Sequence, residues 1–245
     1  MRMCQMFIFY VHDLLAHRNY AWHVHNFRVI YNCEYERIAD DYVQGCQRSP
    51  PLTPPMEHAL NFKALPYNST SIYIEAATNA VFEWRDKSVL VPATNKFDEK
   101  IEELSNILNW KTLQLGCSVQ ICGGGIIATV ACIYEQPPLS AGEEMYIIGE
   151  PCGDGGKCTQ FQPATCNDFS LCVFNATSSS STLSTTSANT TTITTTTQST
   201  TRMHPAPGIN QICPSNGDMN DRIRQKATDM HNYRRFVARV FYFKN

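Results

Sequence analysis

Cysteine placement constrains this chain more than any other feature. Nine of its eleven cysteines fall in one stretch, at Cys33, Cys46, Cys117, Cys122, Cys132, Cys152, Cys158, Cys166 and Cys172, with Cys4 before it and Cys213 after it. None of the spacings gives the paired C-x-x-C knuckles of a tetrahedral zinc site, so the pattern reads as a disulfide framework built in an oxidising compartment. Nine is odd, so the stretch either recruits Cys4 or leaves a thiol free, and the connectivity stays open. The Asn-x-Ser/Thr sequons at Asn68, Asn175 and Asn189 are glycosylation candidates that fit the same secretory route.

The 20 Lys and Arg against 22 Asp and Glu leave a formal charge of -2, with no basic face to attract a phosphate backbone. Nucleic acid is therefore not an expected partner. No run approaches 18 apolar residues, so no membrane span is expected either. The opening MRMCQMFIFYVHDLL has Arg2 and a short apolar run broken by His12 and Asp13, which makes a poor signal peptide. Residues 1–25 are set apart as an atypical or truncated N-terminal segment. His12, His17, His23 and His25 crowd it, but no Cys/His spacing supports a metal site and surface histidines are the plainer reading.

From Thr177 to Thr201 all residues but Leu183, Ala188, Asn189, Ile193 and Gln198 are Ser or Thr. Such a tract cannot bury a core and reads as an extended, O-glycosylated stalk, so 174–208 is a linker between a body and a short tail.

Three amphipathic helices are predicted in the body. Tyr35, Ile38, Ala39, Tyr42, Val43 and Cys46 recur at helical spacing behind Asn32 as N-cap. Tyr73, Ala76, Ala77, Ala80, Val81 and Trp84 share a second face. Phe97, Ile101, Leu104 and Leu108 form a third, with Asp98 and Glu99 complementing the dipole of its first turn. After Leu113 the period changes to two, through LGCSVQIC, a Gly-Gly-Gly turn and IIATVACIYE, which reads as an antiparallel hairpin. The glycines at 123–125 lack the strand-to-helix context and the Gly-Lys-Ser/Thr of a phosphate loop. Helices precede strands, so the predicted class is α+β with helices packed on an antiparallel sheet. Four cysteines within 152–172 and few aliphatics predict a small appendage held by crosslinks more than by a core.

The ordered run of LGCSVQICGG, TVACIYEQPPLSAGEEMYIIGEPC and CNDFSLC resembles the C-terminal half of the CAP superfamily (cysteine-rich secretory, antigen 5 and pathogenesis-related proteins), nearest to the nematode activation-associated secreted and venom-allergen-like proteins. IYNCEYERIADDYVQGC resembles that family's first conserved Cys-containing helix. The resemblance covers about residues 26–173 and implies a CAP-type α-β-α sandwich over 26–150 and a cysteine-rich hinge over 151–173. CPSNGDMNDRIRQKATDMHNYRR resembles the opening of a second CAP domain, with its His-Asn-x-x-Arg helix at His231, Asn232 and Arg234 or Arg235. On that reading 209–245 starts a second, truncated domain, and Cys213 lacks a partner.

CAP proteins typically converge two His and two Glu on a central cleft that can hold a divalent cation. Counting back from Gly116 and Cys117, the resemblance places Glu103 at one histidine, Ser105 at the neighbouring Thr and Asn106 at the Gln. Its Trp-x-x-Glu falls on Trp84 to Lys87, and its Gly-Glu-Asn on Ala59, Leu60 and Asn61. His58 is nearby but matches no ligand. The tetrad positions are thus substituted at Leu60, Lys87 and Glu103, and no metal, catalytic residue or other cofactor is expected. Glu102 and Glu103, with Lys87 opposite, could retain an ion pair, although a solvated helix face is the plainer reading. Tyr35, Tyr42, Tyr73 and Trp84 could line a lipid groove, but at helical spacing they read first as core.

The expected function is therefore that of a secreted, non-enzymatic CAP-domain protein that binds other proteins, host or extracellular, at a parasite-host interface. The alternative is a carrier of sterols or other lipids.

Overall fold

The computed structural model describes residues 24–50, 57–66, 73–86, 95–122, 126–148, 152, 156–175, 208–216 and 219–237. Its centre is a four-stranded sheet in the order β2-β4-β5-β3, made of β2 (Ile30–Tyr31), β3 (Ala59–Pro66), β4 (Gln114–Cys122) and β5 (Ile127–Tyr134). β5 pairs antiparallel along its whole length with β3 on one side and β4 on the other, as the period-two pattern requires, while the two-residue β2 adds a parallel edge to β4. Two short strands, β1 (Val24–His25) and β6 (Ile147–Ile148), pair apart from the sheet.

Alternation along the strands sends side chains to two faces, and each face is covered by helix. One face, with Phe62, Ala131 and Ile133, packs against α1 (Cys33–Val43) through Ala39 and Val43, with Tyr35, Ile38 and Tyr42 at the margin. Asn32 caps α1 as expected, its side chain accepting from the Glu34 and Tyr35 amides. The other face, with Leu115, Val119, Val130 and Tyr134, packs against α2 (Tyr73–Arg85), whose six predicted stripe residues are all buried. The third predicted helix starts as a 3-10 turn, Glu99–Ile101, capped by Asp98, and continues as α3 (Glu102–Leu108). The result is the α-β-α sandwich of the sequence expectation. The hinge holds a two-stranded ribbon, β7 (Ala164–Cys166) with β8 (Cys172–Phe174), stapled by Cys152–Cys166 and Cys158–Cys172.

Gly116 explains how α1 lies so close on the sheet. A Cβ there would sit 2.1 Å from the Glu36 amide nitrogen and 2.5 Å from the Tyr35 carbonyl carbon, so only glycine lets the helix backbone touch β4. Cys46–Cys122 then ties the end of α1 to the end of β4, and Cys117–Cys132 crosses the β4–β5 pair.

The tail departs most from expectation. Residues 208–216 and the helix α4 (Asp221–Val237) pack on the body itself, on the α2 face of the sheet, and Met219, Ile223, Ala227 and Met230 join the main core. Cys213, expected to be without a partner, is bonded to Cys33 across a sequence separation of 180. The odd count in the body is thereby resolved: Cys33 pairs outside the stretch, and the remaining eight pair within it.

Candidate functional site

The central polar cluster is built where β3, β5, α3 and α4 meet. Asn61 of β3 donates from Nδ2 to the Glu103 carbonyl at 2.8 Å and to the Tyr134 hydroxyl at 2.9 Å, while its Oδ1 accepts from Asn106 Nδ2 at 2.9 Å. Tyr134 lies 2.8 Å from His231 Nε2, and His231 Nδ1 lies 2.8 Å from the Ala227 carbonyl. A carbonyl can only accept, so Nδ1 carries the proton and Nε2 accepts from the tyrosine. Proton positions along the chain from Asn106 to Ala227 are thus determined, and among the described residues only Asn106 Oδ1 within it lacks a partner.

Burial sets the electrostatics of this cluster. It pushes the His231 imidazole down to about 4, assisted by the Arg235 and Arg234 charges and opposed by the bond to Ala227. Burial likewise raises the Tyr134 phenol well above its ordinary value. At neutral pH the site holds a neutral imidazole and a neutral phenol, each committed to a neighbour. Neither is presented as a nucleophile with its base.

A second buried cluster secures α4. Arg224 donates to both carboxylate oxygens of Glu36, at 2.6 and 2.8 Å, and both side chains are fully buried. Tyr31 donates to the same carboxylate at 2.6 Å and accepts from the Cys117 amide at 3.1 Å. Arg224 also holds Asn210 and Asp221, which organises the loop carrying Cys213. At the other end of α4, Arg235 spends its guanidinium on four backbone carbonyls, those of Phe27, Ile107, Asn109 and Thr112. Asn232 brackets Val29, donating to its carbonyl at 3.0 Å and accepting from its amide at 2.8 Å.

Of the positions singled out by resemblance, Asn61, the Glu103 backbone and Asn106 meet in this cluster, while others lie apart. Leu60 packs with the α1-side cluster while Asn61 faces the other way. Ser105 is buried and bonded to the Ile101 carbonyl and Met145 sulfur. His58 contacts the Glu135 carbonyl and the Tyr35 ring on the α1 side. Lys87, Asn68 and Asn189 lie outside the described residues, as do Cys4, His12, His17 and His23, while Asn175 is exposed. The four aromatics form no single groove, since Tyr73 and Trp84 are core on one face and Tyr35 and Tyr42 pack on the opposite one.

Of the positions where the fold implies ligands for a divalent cation, Leu60 offers no donor, and the neighbouring Asn61 is already committed to protein partners. Among the described residues, the one group of three potential metal ligands is Cys152, Cys158 and Cys172, whose sulfurs are all consumed by disulfides.

An α-β-α sandwich with a stapled ribbon at its C-terminal end defines a CAP-type fold. No family model matches the chain. It is similar to the Ancylostoma secreted protein of Ancylostoma caninum, at 22% identity over 216 residues, covering 87% of this chain and 44% of that protein. The chain therefore spans less than half the length of this curated relative. Among solved structures it resembles Na-ASP-1, with a TM-score of 0.52 and 22% identity, covering 61% of this chain and 37% of the other. BmVAL-1 is a weaker likeness, at a TM-score of 0.46 and 22% identity over 58% of this chain and 76% of the other. The likeness to Na-ASP-1 is one of fold, and the sequence likeness to the Ancylostoma secreted protein runs over most of this chain.

The clusters that hold α4 were the part missed in the sequence. The His-Asn-x-x-Arg signal in the tail was visible, but its seat lies about two hundred residues away along the chain.

Proposed function

We propose that this is a secreted, non-enzymatic CAP-domain protein that acts by binding other proteins outside the cell, at a parasite-host interface. The observation that carries this reading is the inward-turned polar cluster: Asn61, Asn106, Tyr134 and His231 bond to one another and to backbone, so among the described residues these groups are not turned outward as a base, nucleophile or ligand set. Five disulfides among the described residues suit such a scaffold to an oxidising medium. No helix among the described residues is long and apolar enough to cross a membrane.

The test uses the oxidised protein. Titration with zinc by calorimetry and incubation with labelled sterol and fatty acid are both expected to show no saturable binding. A one-to-one zinc site, or lipid binding at micromolar affinity, would replace this reading with a metal-dependent or a carrier function.

A further inference from the structure

Among the described residues of the tail, 208–216 and 219–237 carry the contacts with the body. Arg224 meets Glu36, Asn232 brackets Val29, Arg235 caps the carbonyls around Phe27 and Asn109, and the apolar face of α4 completes the main core. Cys213 fixes the arrangement to Cys33 at the start of α1.

An empty seat would be costly. Glu36, held by Tyr31, would lose its guanidinium, and the apolar surface now covered by Met219, Ile223, Ala227 and Met230 would be exposed, both of which destabilise the fold. Filling the seat is therefore strongly favoured, but nothing in its geometry specifies which copy of the chain provides the helix. The 32 residues of 176–207 can extend to roughly 110 Å, against a diameter of roughly 40 Å for a body of this size. That reach covers a neighbouring molecule's seat as well as the chain's own.

We propose that the α4 seat is an exchangeable docking site whose second occupant is the 208–237 segment of another copy of this chain. The product is a reciprocal dimer, closed by two Cys33–Cys213 bridges between chains. A tether of this length presents its own helix at about millimolar effective concentration, so self-closure dominates in dilute solution and exchange competes only as protein approaches that level. Thiol–disulfide exchange with a small-molecule disulfide such as oxidised glutathione, which leaves as two thiols, then forms the Cys33–Cys213 bridge and fixes whichever partner is seated.

Complementation tests this directly, in full chains that all carry Cys4→Ser so that the eleventh cysteine cannot intervene. One variant bears Cys33→Ser and Glu36→Gln, which disables its seat; the other bears Cys213→Ser and Arg224→Gln, which disables its helix. Neither can form the bridge alone. Oxidised together, they are expected to give a reducible heterodimer in which peptide mapping finds Cys33 of the second bonded to Cys213 of the first. Cys4→Ser protein with both sites intact is expected to shift from a few per cent dimer at about 10 μM to comparable dimer and monomer at about 1 mM. A mixture lacking that bridge, in which the Cys4→Ser protein also remains monomeric across this range, would overturn the proposal.

Discussion

Single residues decide how closely the layers approach and how the interior responds to pH. Gly116 is the tightest point, with backbone atoms of α1 and its N-cap Asn32 2.1 to 2.6 Å from where a side chain would begin. Gly116→Ala is expected to push α1 off the sheet and cost roughly 3 kcal/mol or more, at the upper end of overpacking effects, read as a lowered urea midpoint. Glu36→Gln strands Arg224 in the interior and is expected to cost about 3 kcal/mol, a loss absent when an exposed pair such as Arg37 with Asp41 is broken.

His231 gives the pH dependence. Its pKa is about 4 in the folded state, set first by burial with Arg235 and Arg234 nearby, against about 6.5 when unfolded. The unfolded chain therefore binds more protons between these values. Stability is complete above about pH 6.5 and falls by about 3 kcal/mol as pH drops through 4. His231→Gln should flatten that part of a stability-pH profile measured by chemical denaturation, and an unchanged slope would place the titrating group elsewhere. The sequence showed His231 as a motif letter; its neutrality depends on Tyr134 and Ala227 closing around it, which is tertiary information.

Most elements of the body were legible because their signals are local. Asn32 caps α1, the six-residue stripe of α2 is wholly buried, and the β4–β5 hairpin follows the period-two run. The parallel pairing of β2 was not, since two residues carry no periodicity. Nor was Glu36 legible as an interior residue: on α1 it reads as a first-turn acid facing solvent, and only Arg224, 188 positions later, makes its burial tolerable. The same gap hid the seat of α4. Its helix pattern is plain in the sequence, but propensity does not say what the face packs against. Cys213→Ser, in protein also carrying Cys4→Ser, is expected to leave the fold formed but less stable, by up to about 5 kcal/mol in the chain-entropy account of so long a loop. Thermal unfolding under oxidising conditions measures the loss against the Cys4→Ser parent.

On the scale of the whole molecule, the sandwich is closed by a segment that returns from beyond a Ser/Thr-rich linker. Core, buried ion pair and disulfide all place 208–237 with the body, although the sequence of that segment resembles the start of another domain. In the sequence the candidate cleft is only an expectation of substitutions at Leu60, Lys87 and Glu103, and the cluster of amides with a tyrosine and a histidine brought from α4 was not legible there. Peptide mapping of the native disulfides in the oxidised, purified protein tests this closure most directly. The account predicts a peptide pair linking Cys33 to Cys213; Cys213 recovered as a free thiol, or Cys33 bonded within the body, would contradict it.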